Sequence, residues 1–168
     1  MKKAMSRRST TSPDGKYILS FRYIGDIRFG PSFFRLRING QLIKDQYFSK
    51  SFVWSADSRY LAVQKWLEIN PHHGPHTAIL LIDLSRNMYA EIAKTYRGIA
   101  SPKRFTKDSI VYSKEYIAPG LPAIFDERKA FNEITIWQKL EFFNPSPRPS
   151  AFHTKTNPQS SADTDTEK

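Results

Sequence analysis

Three sets of residues in this 168-residue chain have types and spacings able to do chemistry. The stretch Asn70-Pro-His-His-Gly-Pro-His76 gathers His72, His73 and His76, and histidine is the commonest metal ligand. Gly74 and Pro75 set these histidines on a hairpin tip rather than a helix, Glu68 is the near carboxylate, and the chain has no cysteine. The expectation is therefore a loop that touches a partner, with no metal. Asp14, Asp57 and Asp108 recur at one place in a repeated phrase, which suits turn-capping hydrogen bonds better than acid or base work. Arg22, Arg28, Arg35 and Arg37 interleave with Tyr23, Phe29, Phe33 and Phe34. Such a set suits phosphates and stacked bases, or an acidic protein surface, where arginine is enriched in hot spots. The protein surface is preferred because no nucleic-acid-binding module motif accompanies the arginines. A Gly-rich phosphate loop and a nucleophile elbow are both missing, so no catalytic residue, cofactor or enzymatic activity is expected.

The charge balance agrees with a basic binding surface. Net charge is +10, and it is concentrated at the start: twelve Lys or Arg against four Asp through residue 60, then eleven against nine through 143, and three against three beyond. A local positive field speeds encounter with an acidic partner and is screened by salt. Absence of cysteine fits a reducing, cytoplasmic setting. The basic start leads into Ser, Thr, Pro and Asp rather than an apolar core, so no signal peptide is read, and the longest apolar run, Ala78 to Ile82, is too short for a membrane span.

These residues need elements to hold them, and the elements repeat. SPDGKYILSF at residues 12–21 and SADSRYLAVQ at 55–64 share Ser, Asp, a basic residue, Tyr and aliphatics at matching places. Their 43-residue offset lies in the period of a propeller blade. Pro13-Asp14-Gly15 is a tight turn that must feed a strand, and a weaker third copy runs from Phe105 to Tyr112. Around the second copy four strands are expected, Phe52 to Trp54, Tyr60 to Leu67, Thr77 to Leu84 and Met88 to Ala93. The first unit gives Tyr17 to Ile24, Phe33 to Ile38 and Gln41 to Phe48 around an Asn39-Gly40 hairpin turn, and lacks a first strand of its own.

Together FVWSADSRYLAVQ, SPDGKYILSF and TAILLIDLSRNMYAEI resemble the WD40-like repeats of the TolB type, in which a Trp-Ser-Pro-Asp-Gly-Arg/Lys turn enters a buried strand and Ile-Asp-Leu closes the third. The resemblance is good over residues 12–96 and poor over 99–140; Ser58 and Ser109 stand where the turn glycine belongs, which predicts strain or a different turn there. It implies a β-blade fold and protein partners, and brings no catalytic residues.

The resulting expectation is an all-β fold of antiparallel meander blades forming a partial, or half, β-propeller. Phe34, Leu36 and Ile38 alternate with Arg35 and Arg37, and Ile134 and Ile136 with Glu133 and Thr135, whereas Ala78 to Ile82 does not alternate, as a strand covered on both faces would not. Residues 1–11 are expected to form a basic arm, 12–143 the blade domain of about three units, and 144–168 a disordered polar tail; 118–130 is expected to be a long connection. Half-propellers of this look resemble certain immunity proteins, which cover a bacterial toxin's active site. The functional expectation is thus a module for an acidic protein partner, such as a toxin domain. Alternatives are nucleic-acid binding through the basic aromatic face and a scaffold that completes its ring by oligomerising.

Overall fold

A computed structural model describes residues 10–28, 30–117 and 123–144. Among these residues the chain is all-β, a mostly antiparallel open sheet of eleven strands with one 3-10 turn at Phe131–Glu133 and no α-helix. The strands are β1 (Leu19–Asp26), β2 (Ser32–Ile38), β3 (Gln41–Leu42), β4 (Tyr47–Trp54), β5 (Tyr60–Glu68), β6 (His76–Asp83), β7 (Met88–Thr95), β8 (Gly98–Phe105), β9 (Ser109–Tyr116), β10 (Ala123–Ala130) and β11 (Gln138–Lys139). β4 through β7 form the expected four-stranded meander, and β8 through β10 a second meander. The two meet where His76 of β6 lies parallel to Gly98 of β8, the step that makes the sheet mixed. There Thr77 Oγ1 donates to Gly98 O and accepts from Ala100 N. A Cβ on Gly98 would sit 2.6 Å from Glu115 O, so this close approach requires glycine.

Burial explains why the middle of the chain loses its alternation. Leu80 and Ile82 pack on one side of β6 with Leu36, Ile38, Phe48, Leu61 and Leu140, while Ile79 and Leu81 pack on the other with Ala90, Ala100, Ile110 and Tyr112. Every residue from Thr77 to Asp83 is buried, as the unbroken apolar run requires of a strand covered twice. β2 does alternate: Phe34, Leu36 and Ile38 are buried and the intervening arginines are not.

Four expectations need correction. The strand from Gln41 to Phe48 is split: β3 ends at Leu42, Ile43 bridges to Phe142, and Asp45 takes φ 52°, which interrupts extended backbone before β4 starts at Tyr47. Residues 123–130 are not connection but β10, paired with β9 along its full length; charges along Asp126-Glu-Arg-Lys129 are what an edge strand tolerates. No strand contains Glu133 to Ile136. Ile134 closes the 3-10 turn and is buried, and Ile136 is 74% exposed, because the turn replaces a period of two. Finally Thr10 and Thr11, assigned to the arm, pair with Leu19 and Ile18 at the sheet margin. The rest of the arm and the tail beyond Asn144 lie outside the described residues.

Candidate partner-binding face

The repeated turns are the frame on which the charged residues hang. In the first, Asp14 Oδ1 accepts from Ser12 Oγ at 2.7 Å and Lys16 N at 3.0 Å, and Ser12 Oγ accepts from Tyr17 N. The second is the same bond for bond: Asp57 Oδ1 accepts from Ser55 Oγ at 2.6 Å and Arg59 N at 3.1 Å, and Ser55 Oγ accepts from Tyr60 N. These donors hold both carboxyls below the usual range, Lys16 N–H and then the Ser12 hydroxyl acting on Asp14, and the Ser55 hydroxyl and then Arg59 N–H on Asp57. Both carboxylates are thus committed to turn geometry, as their spacing suggests. Asp108 accepts from Thr106 Oγ1 in a different turn, where Ser109 opens β9 without a positive φ.

The serine in place of glycine at residue 58 has a structural reason. Ser58 takes φ 61° where Gly15 takes φ 77°, and its buried Oγ accepts from Asp14 N at 2.9 Å, tying the two turns together. Arg59 reaches further, to the fully buried carboxylate of Asp83 at 2.9 Å, which Arg86 meets at 2.8 Å and Ser85 caps through N–H and hydroxyl. Burial opposes ionisation of Asp83, but the Arg59, Ser85 and Arg86 donors outweigh it and hold the carboxyl down to about 2. Sequence reading saw Asp83 only as a strand-closing residue; its signal was a lone acid inside an otherwise apolar run.

β1 and β2 bring three of the four arginines together. Arg22 and Arg35 are direct cross-strand partners, so their side chains share a face, and Arg37 follows two residues along, opposite Ser20. The Arg35 guanidinium lies 4.8 Å from the Tyr47 ring centroid, and Phe33 meets that ring edge-on at 5.4 Å. Among the described residues no carboxylate pairs with Arg22, Arg35 or Arg37, and the Nε of Arg37 is buried without a hydrogen-bond partner. These apposed like charges stand over an apolar underside of Phe34, Leu36 and Ile38. Tyr47 was missed as a site residue because its role depends on where β4 begins.

Arg28 sits in the turn closed by Ile27 N to Pro31 O, beyond the paired strands, and Phe29 is outside the described residues. The histidines form a separate cluster. His73 Nδ1 lies 2.6 Å and His76 Nδ1 3.5 Å from Glu68, His76 meets Tyr96 edge-on, and His72 is exposed. No metal-holding group of His, Cys, Asp or Glu is found among the described residues. No hydrogen bond or ring contact among them joins the histidines to the arginines.

At the end carrying the repeated turns lies a cleft of about 780 Å³ lined by Pro13, Phe52, Trp54, Lys103, Arg104 and Phe105 among others. Neither a carboxylate nor a histidine lines it, and the Ser12 hydroxyl there is committed to Asp14. It therefore offers apolar and cationic surface rather than acid or base groups. Comparison with family models, curated proteins and solved structures returned no match. No helix among the described residues is long and apolar enough to cross a membrane.

Proposed function

We propose that the chain is a non-enzymatic protein-binding module, a partial propeller of WD40-like repeats of the TolB type, that grips an acidic protein partner with Arg22, Arg35 and Arg37. The observation that carries this reading is the apposition of Arg22 and Arg35 across β1 and β2 with no carboxylate among the described residues to pair them. Like charges directly opposite each other disfavour the free state, and an anionic partner relieves them while Tyr47 and Phe33 supply contact area. The repeat reading is supported by the two matching turns and by the four-stranded meander that contains the second. In that reading the first unit has β1, β2 and the segment from Gln41 for its outer strands, with Thr10 and Thr11 as the end of an inner one. A toxin domain whose active site the basic face covers, in the manner of the immunity proteins it resembles, is one partner of this kind, and the cytoplasm the setting in which the pair meets.

The test is capture of partners from native lysate on tagged protein, with and without nuclease, beside the same chain carrying Arg22→Ala, Arg35→Ala and Arg37→Ala. A single stoichiometric acidic protein retained after nuclease and lost in the triple variant is the expected result. For the isolated pair, Arg35→Ala alone lowers affinity by about tenfold or more. Recovery of nucleic acid, with a steep loss of binding in salt that the triple variant flattens, would instead assign the arginine and aromatic face to single strands. Partner capture unchanged in the triple variant removes this face from consideration.

A further inference from the structure

β10 is an edge whose outward pattern complements itself. It pairs with β9 along all eight residues, and its other side carries no strand among the described residues. Odd-numbered charges are used inside the molecule: Glu127 takes Lys114 at 3.1 Å and Tyr112 at 3.0 Å, and Lys129 reaches Glu133 at 3.8 Å. Even-numbered positions are different. Ile124 is 62% exposed, and Asp126 and Arg128 are exposed with no ion pair among the described residues. Opposite unpaired charges two residues apart on one face of an unpaired strand are a template for a second copy.

We infer that two copies of this chain associate antiparallel through β10, on a two-fold axis passing through Glu127. Directly opposed residues in such a pair must come from the same face, which limits the registers. With Glu127 on the axis, Asp126 meets the partner's Arg128, Ile124 meets the partner's Ala130, and Phe125 meets the stem and ammonium of the partner's Lys129. Moving the axis one residue either way sets Asp126 against itself or Arg128 against itself. The two copies of Glu127 come together at the axis, each already neutralised by its own Lys114. Phe125, 54% exposed, adds apolar area within the seam. This association is independent of the acidic-partner reading: it lies on β10, not on the β1–β2 face.

The mass of the full chain in solution tests it. A species of twice 19.5 kDa at high protein concentration is expected. Asp126→Arg and Arg128→Asp each raise the dimer dissociation constant by about tenfold, since each turns two attractive pairs into repulsive ones. The double exchange Asp126→Arg with Arg128→Asp restores the attraction and returns the constant to within about threefold of the original. Because the chain has no cysteine, register can be read directly. Glu127→Cys is expected to cross-link to its own copy under mild oxidation, the facing Cα atoms being about 4.5–5.5 Å apart, and Ile124→Cys is not. A monomer at every concentration, a dimer indifferent to both charge reversals, or cross-linking at 124 rather than 127 would each overturn the inference.

Discussion

The two copies of the repeated turn have the same internal hydrogen bonds and different surroundings. Around Asp14 the basic neighbour is Lys16, whose ammonium meets Asp14 at 3.6 Å in solvent. Around Asp57 it is Arg59, whose guanidinium leaves the turn altogether and reaches buried Asp83. The first turn keeps its basic side chain beside its own aspartate, whereas the second sends its own to the β6–β7 corner; Ser58 ties the two turns together. A repeat's turn motif thus supplies local geometry, while its contribution to stability depends on which side chain of the motif is recruited elsewhere. The largest effect is expected from Asp83→Ala. It leaves the half-exposed Arg59 and Arg86 without their common acceptor and the N–H groups of Ser85 and Arg86 uncapped, and a loss of about 2–3 kcal/mol in denaturant-unfolding free energy is expected. A loss no larger than that of a surface substitution would mean that the reach of Arg59 to Asp83 supports the second turn no more than Lys16 supports the first.

Acid should act on the same contrast. The folded-state carboxyl of Asp83 is depressed from 3.8 to about 2, so its contribution is complete above the unfolded value and is lost as pH falls through the folded one. The window is therefore between about pH 4 and pH 2, and the depression corresponds to roughly 2 kcal/mol at neutral pH. Asp14 and Asp57 are lowered too and add in the same direction. Urea midpoints taken down this range should fall steeply for the parent chain. For Asp83→Asn, which keeps the shape and removes the titration, they should fall less from a lower start.

How much of this was legible beforehand follows the range of the interactions. The meander β4–β7 could be written out strand by strand, because Val, Ile and Leu periodicity and the Ser-x-Asp turns are local signals and β5 and β6 obey them. The double coverage of β6 was legible for the same reason. β10 was not: Ala123 to Ala130 carries four consecutive charges, and it is pairing with β9 that makes it a strand. The false strand at Ile134 and Ile136 shows the converse, an alternation of two residues that a 3-10 turn overrides. Among site residues, the side-by-side arginines of β2 were visible in the pattern. Their apposition to Arg22 depends on the β1–β2 register, and the Arg35–Tyr47 contact on the entry of β4, both set by tertiary packing.

Smaller effects are expected at Ser58 and Asp14. At Ser58 two terms oppose: left-handed backbone disfavours any side chain by about 1–2 kcal/mol, while the bond from Asp14 N is worth about 1 kcal/mol. Ser58→Gly removes both, so its unfolding free energy should stay within about 1 kcal/mol of the parent. Ser58→Ala keeps the strain and leaves Asp14 N without its acceptor, and should lose about 1–2 kcal/mol. If alanine were as stable as glycine, the link between the turns would carry nothing, and φ alone would govern this position. Replacing the capping carboxylates themselves gives the finest comparison. Asp57→Ala frees the backbone that aims Arg59 at Asp83, whereas Asp14→Ala frees only a solvent-facing lysine, so the first should lower the urea midpoint more than the second. Combining each with Asp83→Ala separates the two cases. The cost of Asp57→Ala should shrink in that background, because the arginine it positions no longer has a target, and the cost of Asp14→Ala should not change.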